Sequence, residues 1–196
     1  MADYSTRRGG LRAKLPVQVL RGFYPTEPNK LSSLAEPVNA TDIKSGMAIV
    51  KNNDGKWVRA AAADSQFARG ATPKSIYIAL TDADALDVQA AGKLVGLDCS
   101  DKFELQTGYF DDEEVWAVGD KITTGAAGIF VKATQHATLD VQYVGEITEI
   151  GTVDTTNAIP YVGFTPSCAA ADATLIQFKT VVGVILPVTL NVDDIV

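Results

Sequence analysis

The sequence predicts an all-β protein: a small β-barrel or β-sandwich built from repeated hairpins, with an extended N-terminal arm and at most one or two short helices. Three observations carry this. Segments rich in Val, Ile, Thr, Tyr and Phe recur along the chain, several alternating with period two, and turns rich in Gly, Asp, Asn and Pro separate them. Stretches of good helix formers are short and end at glycine. One hairpin pattern is also written twice: residues 46–61, GMAIVKNNDGKWVRAA, lie without a gap over residues 119–134, GDKITTGAAGIFVKAT.

Residues 1–30 show no sustained period. A Gly pair and Pro16, Pro25 and Pro28 mark them as an extended arm, with one short strand expected around PVQVL. Residues 31–45 read as a connector. The β-rich body, residues 31–196, then carries the possible internal repeat, 46–81 and 119–148. In the first copy MAIVK and KWVRA flank NNDG, whose residues tolerate the positive φ of a tight turn. In the second copy DKIT and GIFVKA flank TGAAG. Each copy ends aromatic–Val–cation–Ala, which in a strand puts ring and cation on one face and Val and Ala on the other. Further strands are expected at 75–80, 93–97, 102–110, 138–150, 160–164 and 174–188. The helix candidates are 59–71, readable as a loop with one helical turn, and 82–93, stopped by Gly92. Such hairpin units close into barrels or sandwiches that limit exposed edges.

The chain has 196 residues, of which 46% are apolar and 21% charged, enough for a real core. No apolar run reaches the roughly 20 residues of a membrane helix, and the N-terminal arginines precede no apolar signal core. Synthesis in a cytoplasm is expected, without membrane association. Cys99 and Cys168 lie in no metal-binding spacing and read as free thiols.

Signatures of catalysis are missing from the sequence. His136 is the single histidine, which leaves no His-rich metal set and makes it the sole possible base of a Ser-His-Asp triad. No phosphate-loop spacing or GxSxG occurs. Asp82, Asp84 and Asp87, and the run Asp111–Asp112–Glu113–Glu114, could offer calcium oxygens, yet neither meets the calcium-hand pattern. They read instead as acidic turns that keep hairpin ends soluble. The reading is therefore a non-enzyme with no cofactor and no metal site.

Charge is uneven. Arg7, Arg8, Arg12, Lys14 and Arg21 face one acid, Asp3, within residues 1–21, while the whole chain carries −7. The acidic body opposes nucleic acid. Arg7, Arg8, Arg12, Lys14 and Arg21 with Phe23 and Tyr24 form the candidate docking set, because Arg and aromatic residues are favoured protein contacts. A solvated tail and phosphate contact are the competing readings of the arm. The C-terminal TVVGVILPVTLNVDDIV is apolar enough to belong in a core or at a subunit interface, with Pro187 keeping it to an edge.

The order of IKSGMAIV…DGKWVRAA, WAVGDKITTGAAGIFVKAT and VGEIT over roughly residues 40–150 resembles the head-decoration and structural proteins of tailed bacteriophages. The resemblance implies a β-barrel protein on the outer capsid surface. It would decorate and stabilise the shell by bridging subunits of the major capsid protein. It further implies a homo-oligomer, with a trimer favoured, and an N-terminal arm that reaches neighbouring subunits. A tail or fibre-base component of the virion remains an alternative. So does a carbohydrate-binding or adhesin module using exposed Trp57, Trp116 or Tyr109.

Overall fold

The computed structural model describes residues 18–22, 32–39, 42–100, 103–111, 113–152 and 174–188. They form a mostly β, sandwich-like fold of two antiparallel sheets with one short α-helix. The strands are β1 (Gln18–Gly22), β2 (Ser32–Ala35), β3 (Ala48–Lys51), β4 (Trp57–Arg59), β5 (Gln66–Phe67), β6 (Tyr77–Ala79), β7 (Leu94–Asp98), β8 (Phe103–Thr107), β9 (Lys121–Thr124), β10 (Phe130–Lys132), β11 (Asp140–Thr152) and β12 (Thr174–Ile185). Helix α1 (Leu86–Ala91) ends where Gly92 turns left-handed at φ 66°. The other helix candidate supplies only a 3-10 turn, Ala62–Asp64, followed by β5. Asp64 closes that turn by accepting the Ala61 N–H at 2.8 Å.

Two expectations need correction or limits. The connector read at 31–45 contains β2, whose Ser-Ser-Leu-Ala sequence carries little strand signal. The strand expected at 160–164 lies outside the described residues, as does the arm apart from β1.

The first sheet runs β2-β7-β6-β3-β4, and the second runs β1-β8-β12-β11-β9-β10 with β5 also on β11. Set side by side, the two follow one plan. Ile49 faces Arg59, Val50 faces Val58 and Lys51 faces Trp57 across β3–β4. Across β9–β10, Ile122 faces Lys132, Thr123 faces Val131 and Thr124 faces Phe130, each 73 positions later. The neighbour strand docks alike: Ala48 opposite Ile78 and Ile49 opposite Tyr77, then Lys121 opposite Glu146 and Ile122 opposite Gly145. One strand further out, Ile78 faces Leu97 and Ala79 faces Gly96, while Glu146 faces Lys179 and Ile147 faces Phe178. Outermost, Ser33 faces Gly96 and Ala35 faces Leu94, while Leu105 faces Phe178 and Thr107 faces Ile176.

The connections match as well. Gly46 and Gly119 precede their hairpins at φ 92° and 93°, a conformation glycine adopts without strain, and donate to the Ala79 and Ile147 carbonyls. Past β2 the chain crosses to the open side of β4: Trp57 N–H donates to the Glu36 carbonyl, and Val38 N–H to the Trp57 carbonyl. Past β8 it does the same at β10, where Phe130 N–H donates to the Tyr109 carbonyl and Asp111 N–H to that of Phe130. A parallel bridge thus draws each sheet toward closure.

The layers stack head to tail. One face of the first sheet carries Ile49, Trp57, Ala79 and Leu94, packed with Ile43, Ala83 and Val88 of α1. Its other face carries Ala48, Val50, Ala60, Ile78 and Leu97, packed on Leu105, Ile122, Phe130, Ile147, Ile176 and Phe178 of the second sheet. Each such large side chain, once fully buried, contributes about 1.5–3 kcal/mol. Two hydrogen bonds stitch the hairpins together: Gly128 N–H donates to the Ala60 carbonyl at 2.9 Å, and Thr124 Oγ1 to that of Ala61 at 2.9 Å.

Candidate interaction surface

Beyond Thr180, β12 continues with β11 on one flank, Tyr143 facing Gly183 and Val141 facing Ile185. On its other flank β8 pairs only with Ile176–Lys179, so residues 181–185 have no second strand among the described residues. Val182, Val184, Leu186 and Val188, two apart in sequence, are 41%, 45%, 50% and 68% exposed. Val182 lies in a β-bulge of β12, Val184 near its end, and Leu186 and Val188 past it, so together they form an exposed apolar stretch at the end of the strand. Pro187 is buried just past the strand end, consistent with its inability to donate in a ladder. Val188 N–H anchors the stretch by donating to the His136 carbonyl at 3.0 Å. His136 itself shapes a turn, its Nδ1 accepting the N–H groups of Thr138 and Leu139.

Of the docking set from the sequence, Arg21 alone lies among the described residues. Arg7, Arg8, Arg12, Lys14, Phe23 and Tyr24 lie outside the described residues. Arg21 sits on β1, its backbone opposite Glu104 of β8.

The acidic turns are tied internally. Lys44 Nζ lies 2.6 Å from Asp84 Oδ2 and 3.4 Å from Asp82 Oδ2, and Asp82 also accepts the Ser45 N–H. Asp111 accepts the Glu113 N–H through its side chain and the Trp116 indole N–H through its carbonyl. Among the described residues no three His, Cys, Asp or Glu side chains gather as a metal set. A groove of about 240 Å³ beside Trp57, Val38 and Arg59 falls below the roughly 300–1,000 Å³ of small-molecule sites.

The rings named for a sugar platform are not displayed as one. Trp57 is fully buried, with its indole N–H on the Leu94 carbonyl at 2.8 Å, and Tyr109 is buried. Trp116 is half-buried, edge-on to Phe110. Cys99 is a free, buried thiol whose pKa burial pushes far up, which keeps it unreactive.

Charge collects on the outward face of the second sheet. Glu146 pairs with Lys121 across the strands and with Lys179 Nζ at 2.7 Å. Lys121, then Lys179, holds the Glu146 carboxyl below the usual range. Lys132 does the same to Asp120, helped by the Ala117 N–H.

The described residues thus present an exposed apolar stretch at the end of β12 and a charged outward face on the second sheet. No protein-family model matches the chain, and neither the curated proteins nor the solved structures yield a match.

Proposed function

We propose that this chain is a non-catalytic virion structural protein that decorates and stabilises a bacteriophage capsid by bridging shell subunits. The observation that carries the reading is the exposed apolar stretch Val182, Val184, Leu186 and Val188, at and just past the end of β12, where β8 no longer pairs and no other described strand lies on that flank. Contiguous exposed apolar surface of this kind suits a protein partner. The phage-like order of the hairpin motifs supplies the partner's identity, the major capsid protein on the outer head surface, and favours a trimer. The acidic body suits an exterior position, away from packaged nucleic acid. Anything that binds only the assembled shell shifts the equilibrium toward it, so many modest contacts suffice.

Copy number tests this. Quantitative mass spectrometry of purified particles should find the chain at a simple fraction of, or equal to, the major shell protein. A handful of copies would move it to the tail or fibre base, and absence from particles would reject the reading. Val184→Asp with Leu186→Asp should weaken binding to undecorated shells by about tenfold or more, a loss of about 1.4 kcal/mol.

A further inference from the structure

We propose that the turn from His136 to Leu139 is a pH-sensitive latch: protonation of the His136 ring opens the turn and releases the chain at Val188. The inference stands on hydrogen-bond geometry among the described residues and is independent of the capsid reading.

His136 holds two segments at once. Its ring Nδ1 accepts the Thr138 N–H at 3.2 Å and the Leu139 N–H at 3.1 Å. Its carbonyl accepts the Val188 N–H at 3.0 Å. The turn leads directly into β11 at Asp140, and Val188 lies just past the end of β12 at Ile185. Val141 opposite Ile185 is the last rung of that strand pair. One residue therefore fastens the entry of β11 to the exit of β12.

The geometry fixes the ring's protonation state. Two N–H groups converge on Nδ1, so Nδ1 offers them a lone pair and the ring hydrogen sits on Nε2. In an imidazolium both ring nitrogens are donors. A proton taken up at Nδ1 thus turns the acceptor of the turn into a donor aimed at two donors. Both backbone groups lose their partner together, and the ring must swing away. Imidazole is the side chain that makes this change between about pH 5 and 8.

The surroundings leave the cation without a substitute bond. His136 is half-buried and lines a cavity of about 110 Å³. β10 brings Lys132 to that cavity, with its Nζ 2.8 Å from Asp120 Oδ2. β11 brings Asp140, buried and paired with Arg69 at 3.5 Å. β5 brings the uncharged Gln66, and the chain past β12 brings Leu186, Pro187 and Val188. Asp120 and Asp140 are each matched to another cation, so neither replaces the contacts that the turn loses.

Amide hydrogen exchange of the full-length chain, corrected for its intrinsic pH dependence, tests the latch at about pH 7.5 and about pH 5. Thr138, Leu139 and Val188 should lose protection about tenfold at the lower pH, the scale of one or two hydrogen bonds. Phe130 and Ile147, whose N–H groups donate to the Tyr109 and Asp120 carbonyls, should not change. His136→Asn keeps a side-chain carbonyl that accepts the same N–H groups and takes up no proton, so its protection should hold at both values. His136→Ala should lack protection of Thr138 and Leu139 at both. Nitrogen NMR should find the ring hydrogen on Nε2 at neutral pH. A ring hydrogen on Nδ1 overturns the proposal. So does protection that survives in acid or in the Ala variant, or an Asn variant that loses it in acid as the unaltered chain does.

Discussion

The first and second sheets share strand order and register but fill their interiors differently. In the first sheet, β6 places Tyr77 and β7 places Gly96, and the Trp57 indole covers the glycine. A Cβ at Gly96 would lie 2.9 Å from Trp57 Cζ2 and 3.1 Å from Tyr77 Cβ. In the second sheet the corresponding positions are Gly145 and Phe178, and the Phe178 ring covers the glycine, 2.6 Å from where its Cβ would be. Large and small have changed places between neighbouring strands, while a buried aromatic, Trp57 or Phe130, stays put. Tyr77 meets Trp57 edge-on at 4.9 Å, and Phe178 meets Phe130 at 5.4 Å. The difference teaches that one backbone plan accepts either solution provided the summed volume is kept.

The sharpest way to break the comparison is to exchange outer faces. Ile78 is buried between the sheets where Glu146 faces outward. Ile78→Glu should cost more than about 4 kcal/mol, an uncompensated buried charge, seen as unfolding in a urea titration. Phe178→Ala comes next, with about 3–5 kcal/mol lost to a cavity beside Phe130, read as a lower urea midpoint at unchanged slope.

Gly96→Ala should cost about 1–3 kcal/mol by overpacking against Trp57. In a Trp57→Phe background, which gives the first sheet the second sheet's aromatic, that cost should shrink. A double-mutant cycle with no coupling would show that the two interiors are not variants of one plan. The smallest effect is electrostatic. The lowered Glu146 pKa means the unfolded chain takes up protons first as pH falls. The stabilisation is present above the ordinary carboxylate range and lost as pH falls through the folded value. Glu146→Gln should therefore lower stability by about 0.2–1 kcal/mol at pH 7, with the gap to the unaltered protein closing in acid.

Much of this fold was legible in the sequence because hairpins are local. The Gly46 and Gly119 positions and the Trp57 and Phe130 rings fell into equivalent places, and the helix stop at Gly92 followed from composition. The strand at Ser32–Ala35 was not legible, since its pairing with β7 comes from tertiary contact rather than from β-branched residues. Nor was the choice of faces. The run Ala48–Ile49–Val50 is apolar throughout because both faces of its sheet are buried, so alternation could not say which side meets the partner sheet. The stretch at 182–188 was visible as an apolar C-terminal segment, but its exposure depends on where β8 stops pairing with β12. The docking set on the arm stays a reading of composition alone.

The charged outward face of the second sheet also bears on how this architecture could grow. An arrangement that lays one unit's outer face on the next unit's inner face has no intrinsic end and would polymerise. Lys121, Glu146 and Lys179 stand where the first sheet has Ala48, Ile78 and Leu97, the residues that make the inter-sheet contact. A third unit would have to strip water from all three charges. That desolvation cost disfavours stacking on this face.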